Sequence, residues 1–238
     1  MNGIELAIRF SFITNSLQFC GPHCASDQFM EYVDKKNNEK DVEDSLKKFE
    51  GLYPYLSTIA EKTGKKFTDY EVIEAYWIGN KLLEQFDKED LKKIIEKLMQ
   101  RGLPKSMGEK LIKNMPSGFM PHHNFNVFYV GVGNTTGSVP TNLQNMDNCR
   151  ISWGKVSEVL TEKVLVQTPV LKKQGNQYYL GKEETKTIVF KPSLFPSIKK
   201  GDVIALHWGF ACLVLTEEQL SNLKKYTRKI IDVMNKIG

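Results

Sequence analysis

Residues 149–156 read Cys-Arg-Ile-Ser-Trp-Gly-Lys-Val, and residues 201–212 read Gly-Asp-Val-Ile-Ala-Leu-His-Trp-Gly-Phe-Ala-Cys. In the first stretch a lone cysteine lies five residues before a glycine. An alternating run of residues follows this glycine, and such alternation is typical of a β-strand. The second stretch is a strand pattern that reaches a histidine at its end. Cys149 and His207 are therefore the residues with the strongest functional signal. The polar neighbours of Cys149, which are Asp147, Asn148 and Arg150, favour an exposed thiol.

The chain after residue 149 reads as a series of short strands. Turn formers such as Gly175-Asn176 separate them, and their spacing is typical of a small antiparallel barrel. A capping box, Thr216-x-x-Gln219, predicts a final helix with an apolar face. The strands are predicted over residues 155–160, 162–168, 177–180, 186–190 and 203–208, with another over 210–215, and residues 169–186 contain an insertion-like hairpin.

The first 115 residues carry the periodicity of helices. Pro22 suits the first position of a helix, which would put Cys24 in the first turn. Capping boxes are predicted at Thr68 and Ser106, and Gly64 is a predicted helix stop. Residues 4–14 mix alternation with helical spacing, so their class stays open. The helices are predicted over residues 25–33, 41–51, 54–63, 72–77 and 91–98, with another that begins near residue 106.

A change of pattern marks the boundary between two predicted domains. Residues 125–132 are aromatic and β-branched, which favours a strand. Residues 133–148 are rich in turn formers and poor in apolar side chains. The sequence thus predicts an α+β fold. It consists of a mainly helical domain over 1–132 that ends in a strand, a linker over 133–148, and a barrel with a C-terminal helix over 149–238.

Composition narrows the classes of function. The 238 residues are 41% hydrophobic and 26% charged, as in globular proteins. The net charge of +5 comes from lysines interleaved with acids, so we expect no nucleic-acid partner. We also expect a cytoplasmic protein without a membrane span, because no apolar run reaches about 18 residues. Four cysteines in that compartment are reduced thiols, available for metal binding, redox chemistry or packing.

The second half of the chain resembles the HypC/HupF family of hydrogenase assembly chaperones. The resemblance rests on the stretch that begins at Cys149, on the His-x-Gly-Phe-Ala element that begins at His207, and on the acidic start of the final helix, Leu215-Thr-Glu-Glu218. It covers residues 149–235. It implies an OB-like barrel that handles the iron carbonyl-cyanide group of nickel–iron hydrogenases. It also implies that Cys149 and His207 hold this iron cargo, and that the partners are the hydrogenase large subunit precursor and a HypD-like scaffold protein.

The whole chain also resembles a prokaryotic family in which a helical domain precedes such a barrel. In that family a Cys-Gly-Pro element lies near the start and a His-His pair precedes a strand. Here these elements are Cys20-Gly-Pro22 and His122-His123. This resemblance implies no activity, so the first half of the chain is interpreted from the chemistry of its side chains alone.

Four residues of the first half form a second candidate metal or thiol site. Cys20 and Cys24 are separated by Gly-Pro-His, which is not the spacing of a zinc knuckle. His122 and His123 follow Met120-Pro121, and adjacent histidines can share a metal only in irregular backbone. If the fold brings these histidines close to Cys20, Cys149 or His207, we expect a Cys/His iron site between the domains.

Three hypotheses remain open from the sequence. The first is an accessory chaperone in nickel–iron hydrogenase maturation, in which Trp153 and Trp208 shield the site or form a partner surface. The second is a metal- or thiol-dependent enzyme built on the second candidate site, which makes or modifies a metal ligand. The third is an interaction module whose barrel site has lost its cargo.

Overall fold

The computed structural model describes residues 1–195 and 197–237, and within them the chain forms ten α-helices and five β-strands, which confirms an α+β fold. The helices are α1 (Gly3–Ser16), α2 (Ala25–Lys35), α3 (Glu39–Leu46), α4 (Tyr53–Thr63), α5 (Tyr70–Trp77), α6 (Lys88–Met99), α7 (Lys105–Asn114), α8 (His123–Phe125), α9 (Leu143–Cys149) and α10 (Glu217–Met234). A 3-10 helix, Lys81–Gln85, follows α5, and a π-helical turn, Asn126–Gly131, continues α8. The strands are β1 (Ser152–Val159), β2 (Lys163–Gln174), β3 (Gln177–Val189), β4 (Val203–His207) and β5 (Phe210–Val214).

The mainly helical character of the first half is confirmed, and α1 settles the class of residues 4–14. A capping box of Asn2 and Glu5 starts this helix. Most of its side chains are buried, so its sequence lacks the polar face that marks an amphipathic surface helix. This all-round burial is the reason that residues 4–14 do not show a clean helical period.

The strand predicted over residues 125–132 is wrong. The segment is the end of α8 and the π-helical turn after it, and its side chains are buried on every face. It packs against α9 and α10. A short apolar run that is buried on all sides has no period that separates strand from helix, and its aromatic and β-branched composition reflects burial alone.

Three predicted helix starts, at Pro22, Thr68 and Ser106, are also wrong, whereas the one at Thr216 is confirmed by its capping box. Helix α5 begins after Asp69 and α7 after Pro104, so the boxes at Thr68 and Ser106 are not formed. Helix α2 begins only at Ala25, after Cys24 with a φ of +61°. The Asn15 side chain delays this start: it donates to the carbonyls of Cys20 and Pro22 and accepts from the Ser26 amide, which holds the preceding loop open.

The five strands form a closed barrel in the order β1-β2-β3-β5-β4, with β4 returning to β1. All pairs are antiparallel except a short parallel contact between β3 and β5 at Val189 and Phe210. The strands predicted over 177–180 and 186–190 are in fact one strand, β3. Its central charged residues extend with β2 beyond the barrel and are mostly exposed, so they carry no hydrophobic alternation.

The helices and the barrel share one continuous core. Helix α1 packs on β5, where the rings of Phe12 and Phe210 lie 5.5 Å apart. Helix α10 lies against the end of α5, and a Cβ at Gly79 would be 2.2 Å from the Tyr226 ring, so glycine permits this close approach. Within the described residues, no helix has the length and apolarity needed to cross a bilayer.

A buried ion pair stabilises the junction between α9 and β1. Cys149, the last residue of α9, lies at this junction. Arg150 is 1% exposed, and its guanidinium lies 2.8 Å from Asp147, which also accepts from Lys186 and from the Leu171 amide. The side chains of Arg150 and Asp147 therefore face the interior, and Cys149, which lies between them in the sequence, is buried as well. This is why the exposed thiol expected from the polar neighbours of Cys149 is wrong: the Cys149 side chain is 7% exposed.

Arg150→Ala is expected to lower the free energy of unfolding by about 3–5 kcal/mol, because it leaves the Asp147 carboxylate buried without its main counter-ion. The exposed pair of Lys172 and Glu184 on the hairpin, 2.9 Å apart, supplies the matched control. Lys172→Ala is expected to change the free energy of unfolding by less than about 1 kcal/mol. Urea unfolding followed by circular dichroism measures both, and equal effects would contradict this account of the junction.

Candidate metal centre

Three buried side chains, His123, Cys149 and His207, meet where the helical part of the chain contacts the barrel. One donor atom from each lies within 4.8 Å of the other two. The Cys149 Sγ is 3.6 Å from the His123 Nε2 and 3.9 Å from the His207 Nε2. The two strongest sequence candidates, Cys149 and His207, are thus brought together, and His123 of the second candidate site joins them.

Each of the three residues stands at the end of a regular element. His123 begins α8, Cys149 is the last residue of α9, and His207 is the last residue of β4. The Trp208 amide donates to the Asn148 carbonyl at 2.7 Å, which fixes the end of β4 against the end of α9. The Asn124 side chain accepts from the Ile151 amide at 3.0 Å and fixes α8 against the start of β1. Backbone and amide contacts therefore hold all three donors in place.

The two sulfur–nitrogen distances are close to those of a tetrahedral metal site. A metal with a sulfur bond of about 2.3 Å and nitrogen bonds of about 2.0–2.1 Å holds sulfur and nitrogen about 3.6 Å apart at the tetrahedral angle. The separation from Cys149 to His123 equals this value, and that to His207 exceeds it by a few tenths of an ångström. The two imidazole nitrogens lie within 4.8 Å of each other, and a tetrahedral ion would hold them about 3.3 Å apart.

The tautomer of His207 suits a ligand. Its Nδ1 lies 3.0 Å from the Phe10 carbonyl oxygen, which can only accept a hydrogen bond. The Nδ1–H therefore donates to Phe10, and the lone pair of Nε2 faces Cys149. A backbone carbonyl that holds the second ring nitrogen is a usual feature of metal-binding histidines.

Both ring nitrogens of His123 lie within hydrogen-bonding distance of a neighbouring polar group. The Tyr76 hydroxyl lies 2.7 Å from the Gly51 carbonyl and 2.9 Å from the His123 Nδ1, and the His123 Nε2 lies 3.0 Å from the Cys149 carbonyl. These three contacts share only two protons when the imidazole is neutral. If Tyr76 donates to Gly51 and accepts from Nδ1–H, the Nε2 lone pair is free, which is the tautomer that a metal requires.

Burial keeps the three side chains uncharged in the absence of a metal. It raises the pKa of the Cys149 thiol to about 12, an effect that a hydrogen bond from the Trp208 side chain opposes. Burial lowers the pKa of His207 to about 4, and burial together with the neighbouring His207 ring holds the pKa of His123 well below its ordinary value. The imidazoles are thus ready to bind a metal, whereas Cys149 must release a proton to do so.

The three donors lie on the wall of a cavity of about 60 Å³. A single water needs about 10–15 Å³, so the space admits a metal ion with a few small additional ligands. The cavity lies between α1, α5, the loop after the π-helical turn, and the barrel. Its other lining residues include Ser11, Phe19, Cys20, Tyr76, Trp77, Thr135, Thr136 and Trp208.

The other sequence candidates from the first half do not join the donor group. Cys20 lines the cavity, but its thiol lies 3.5 Å from the Glu50 carboxylate. Cys24 is exposed beside His23. His122 is buried, but its Nδ1 accepts from the Asn124 amide at 3.0 Å and its ring faces Tyr226. Only His123 of this predicted set is therefore a ligand candidate at the centre.

The two tryptophans of the barrel differ in position. Trp208 lines the cavity, and its ring lies 4.6 Å from the Phe19 ring, so both cover one side of the site. Trp153 is 9% exposed and lines a separate surface depression with Pro169, Leu180 and Lys224. Trp153 is therefore remote from the donors, although it stands in the motif that begins at Cys149.

Sequence reasoning missed the residues that support the donors. Trp77 carries no signal in the sequence beyond that of a buried aromatic residue, yet its ring lies 4.7 Å from the His123 ring and 5.4 Å from the His207 ring. Tyr76 and the Phe10 carbonyl contact the second nitrogens of the two histidines. Backbone carbonyls leave no sequence signal, and an aromatic pair on a helix face is indistinguishable from core.

The chain belongs to the family described as "Family of unknown function (DUF6390)", whose family model matches residues 1–238. Neither the curated proteins nor the solved structures contain a match to the chain.

Proposed function

We propose that the protein binds one transition-metal ion through His123, Cys149 and His207 and acts as an accessory chaperone in nickel–iron hydrogenase maturation. In this role it would hold or transfer the iron carbonyl-cyanide group or dock its carriers. The observation that carries the proposal is the donor group itself, with the Cys149 Sγ 3.6 Å and 3.9 Å from two imidazole nitrogens.

The chemistry of the donors favours iron or zinc over a hard cation. Thiolate and imidazole are ligands of zinc and iron, whereas magnesium and calcium prefer oxygen. Three protein ligands leave at least one coordination position open, as in sites where a metal takes an exogenous ligand. An ion that is held by three side chains and still open can carry small ligands or be passed to a partner.

The barrel topology supports the link to hydrogenase maturation. The closed order β1-β2-β3-β5-β4 with a parallel contact between β3 and β5 supports the OB-like barrel that the resemblance to HypC/HupF implies. The two residues that the resemblance marks, Cys149 and His207, are 58 residues apart in sequence and meet at one end of this barrel. The hydrogenase large subunit precursor and a HypD-like scaffold protein are the proposed partners, in the cytoplasm.

A second candidate function is a Cys/His metal-dependent enzyme that makes or modifies a metal ligand. The observation that favours it is the cavity beside the donors, which would admit a small substrate to an open coordination position. The enzyme would turn over a free small molecule, whereas the chaperone would release its iron only to a partner protein. The two functions are separated by whether purified, metal-loaded protein shows turnover without any partner.

Tyr76→Phe is expected to weaken metal binding about tenfold, because the loss of a group that orients a histidine ligand typically lowers metal affinity 10–100-fold. In the tautomer that a metal requires, the variant removes the oxygen that accepts from the His123 Nδ1–H. Chelator competition under anaerobic conditions measures the affinity for iron(II).

The neighbouring tyrosine supplies the control for this variant. Tyr55 is also fully buried, its ring lies 5.0 Å from the Tyr76 ring, and its hydroxyl donates to Asn126 instead of a histidine. Tyr55→Phe should bind iron(II) within about twofold of the wild type. Equal losses in the two variants would mean that Tyr76 acts through packing alone.

The proposed function is tested by infrared spectroscopy of the protein purified without oxygen from a cell that is making a nickel–iron hydrogenase. Carbonyl and cyanide stretching bands that disappear in Cys149→Ala would support the chaperone. A spectrum without such bands, from a preparation that contains the large subunit precursor and the scaffold protein, would count against iron cargo. Full hydrogenase activity in cells that carry only the Cys149→Ala protein would refute the function.

A further inference from the structure

Three residues that line the cavity beside the metal centre each have a buried polar atom without a partner. Within the described part of the chain, six buried side-chain polar atoms lack a hydrogen-bond partner. Three of the six, Ser11 Oγ, Trp77 Nε1 and Thr135 Oγ1, belong to residues on this one cavity wall. Buried polar groups without partners are rare in folded proteins because each is destabilising. Their concentration at one cavity indicates a ligand that would satisfy them.

Trp77 defines the kind of atom that this ligand presents. The indole Nε1–H is a donor only, so it requires a hydrogen-bond acceptor. Trp77 is 3% exposed, and its ring is stacked on Phe10 at 5.1 Å and packed against both histidine rings. The donor is therefore held rigidly next to the metal ligands.

Ser11 and Thr135 add two hydroxyl donors from different elements. Ser11 is fully buried in α1 and directly follows Phe10, whose carbonyl holds His207. Thr135 is 8% exposed and lies in the loop after the π-helical turn. A Cβ at Gly133 would be 1.9 Å from the Val139 carbonyl oxygen, so this loop is tightly closed and its position is fixed.

The other residues that line the cavity limit the size and the charge of the ligand. No Asp, Glu, Lys or Arg is among the described residues that line the cavity. An acceptor-bearing anion would therefore meet no carboxylate, and its charge would be balanced by the metal. The volume of about 60 Å³ restricts the ligand to a few non-hydrogen atoms.

We infer that the cavity binds a small anion coordinated to the metal, with the Trp77 indole and the Ser11 and Thr135 hydroxyls as its hydrogen-bond donors. This inference rests on the proposed metal centre and assigns its open coordination position. The three residues all precede the barrel in the chain, so the part of the chain before the barrel would act as the recognition element for the small ligand. The barrel and α8 would supply the bonds to the metal.

Azide binding to the cobalt(II)-loaded full-length protein tests the inference. The visible spectrum of cobalt reports the metal and its coordination, and the azide stretching band reports the bound anion. Trp77→Phe is expected to lower azide affinity about tenfold or more, because hydrogen bonds to charged groups typically contribute about 1.5–3 kcal/mol. Thr135→Val is expected to lower it about fivefold to tenfold. Thr135→Val should retain cobalt(II) affinity within about twofold. Azide affinity is measured with every variant saturated with cobalt(II), so that a change of metal affinity in Trp77→Phe does not enter the comparison.

Thr136→Val is the matched control, because Thr136 lines the same cavity but its hydroxyl already pairs with Ser138 at 2.7 Å. Its azide affinity should equal that of the wild type. If cobalt(II) binds but Trp77→Phe and Thr135→Val bind azide as well as Thr136→Val does, the inference fails while the metal centre stands. If the cobalt-loaded wild type takes up no azide, the inference also fails. If the wild type binds no cobalt(II), the proposed function fails first.

Discussion

Cys149→Ser is expected to lower iron(II) affinity at least about a hundredfold, because even changes outside the ligand shell lower metal affinity 10–100-fold. Cys149 is the one donor of the group that must lose a proton to bind, and serine replaces its thiolate with a neutral, hard oxygen. The serine hydroxyl is smaller than the thiol and fits the same space, so the fold should be retained. Anaerobic chelator competition measures the affinity, and circular dichroism checks the fold.

Cys20→Ser provides the control for the thiol chemistry. Cys20 lines the same cavity, but it lies outside the donor group and its thiol faces Glu50. Its replacement should leave iron(II) affinity within about threefold of the wild type. Unchanged binding in Cys149→Ser, or an equally large loss in Cys20→Ser, would contradict the assignment of the ligands.

The metal-free protein is expected to lose stability steeply between pH 7 and pH 5, because three buried imidazoles stay neutral in the fold. Burial lowers the pKa of His122 to about 3 and of His207 to about 4, and that of His123 lies well below its ordinary value. In the unfolded chain all three take up protons near pH 6.5. The unfolded state then binds more protons than the folded state, so stability falls as the pH falls below 6.5.

The expected loss is on the order of 5 kcal/mol between pH 7 and pH 5, since each buried histidine contributes about 1.4 kcal/mol per pH unit below its unfolded pKa. This is comparable to the total stability of many domains, so unfolding near pH 5 is the expected outcome. Urea unfolding at a series of pH values, in the presence of a chelator, measures the slope.

His122→Asn isolates one of the three contributions. The His122 ring accepts from the Asn124 amide at the start of α8, and an asparagine side chain can take over this cap without titrating. The variant should lower the slope by about 1 kcal/mol per pH unit between pH 5 and pH 6. A wild type whose stability is constant over this range would contradict the buried, neutral histidines.

The sequence predicted those parts of the fold that have local causes. Gly64 ends α4 and the Thr216 box begins α10, because left-handed glycine and side-chain caps act over a few residues. The barrel strands followed from alternation and turns, except where β3 leaves the barrel and loses its buried face. The strand prediction for residues 125–132 was wrong because a segment buried on all sides lacks the hydrophobic periodicity on which such a prediction depends.

The candidate site was predictable only in part, because its donors come from three distant elements. Cys149 and His207 were marked by the barrel motif, but their partner His123 was identifiable only as one member of the His122-His123 pair. Which of the two reaches the centre depends on how α8 begins: His122 caps the helix, and His123, one residue later, points to Cys149. Trp77 and Tyr76 act through packing and hydrogen bonds that a single sequence does not encode in any motif.

X-ray absorption at the iron edge of the protein loaded anaerobically with one equivalent of iron(II) is the most direct test of the metal centre. The proposed metal centre predicts one sulfur and two imidazole nitrogens from the protein in the first shell, and the sulfur contribution should vanish in Cys149→Ser. A first shell of oxygen and nitrogen without sulfur in the wild-type protein, or failure to retain iron(II) at one equivalent, would contradict a metal centre at His123, Cys149 and His207.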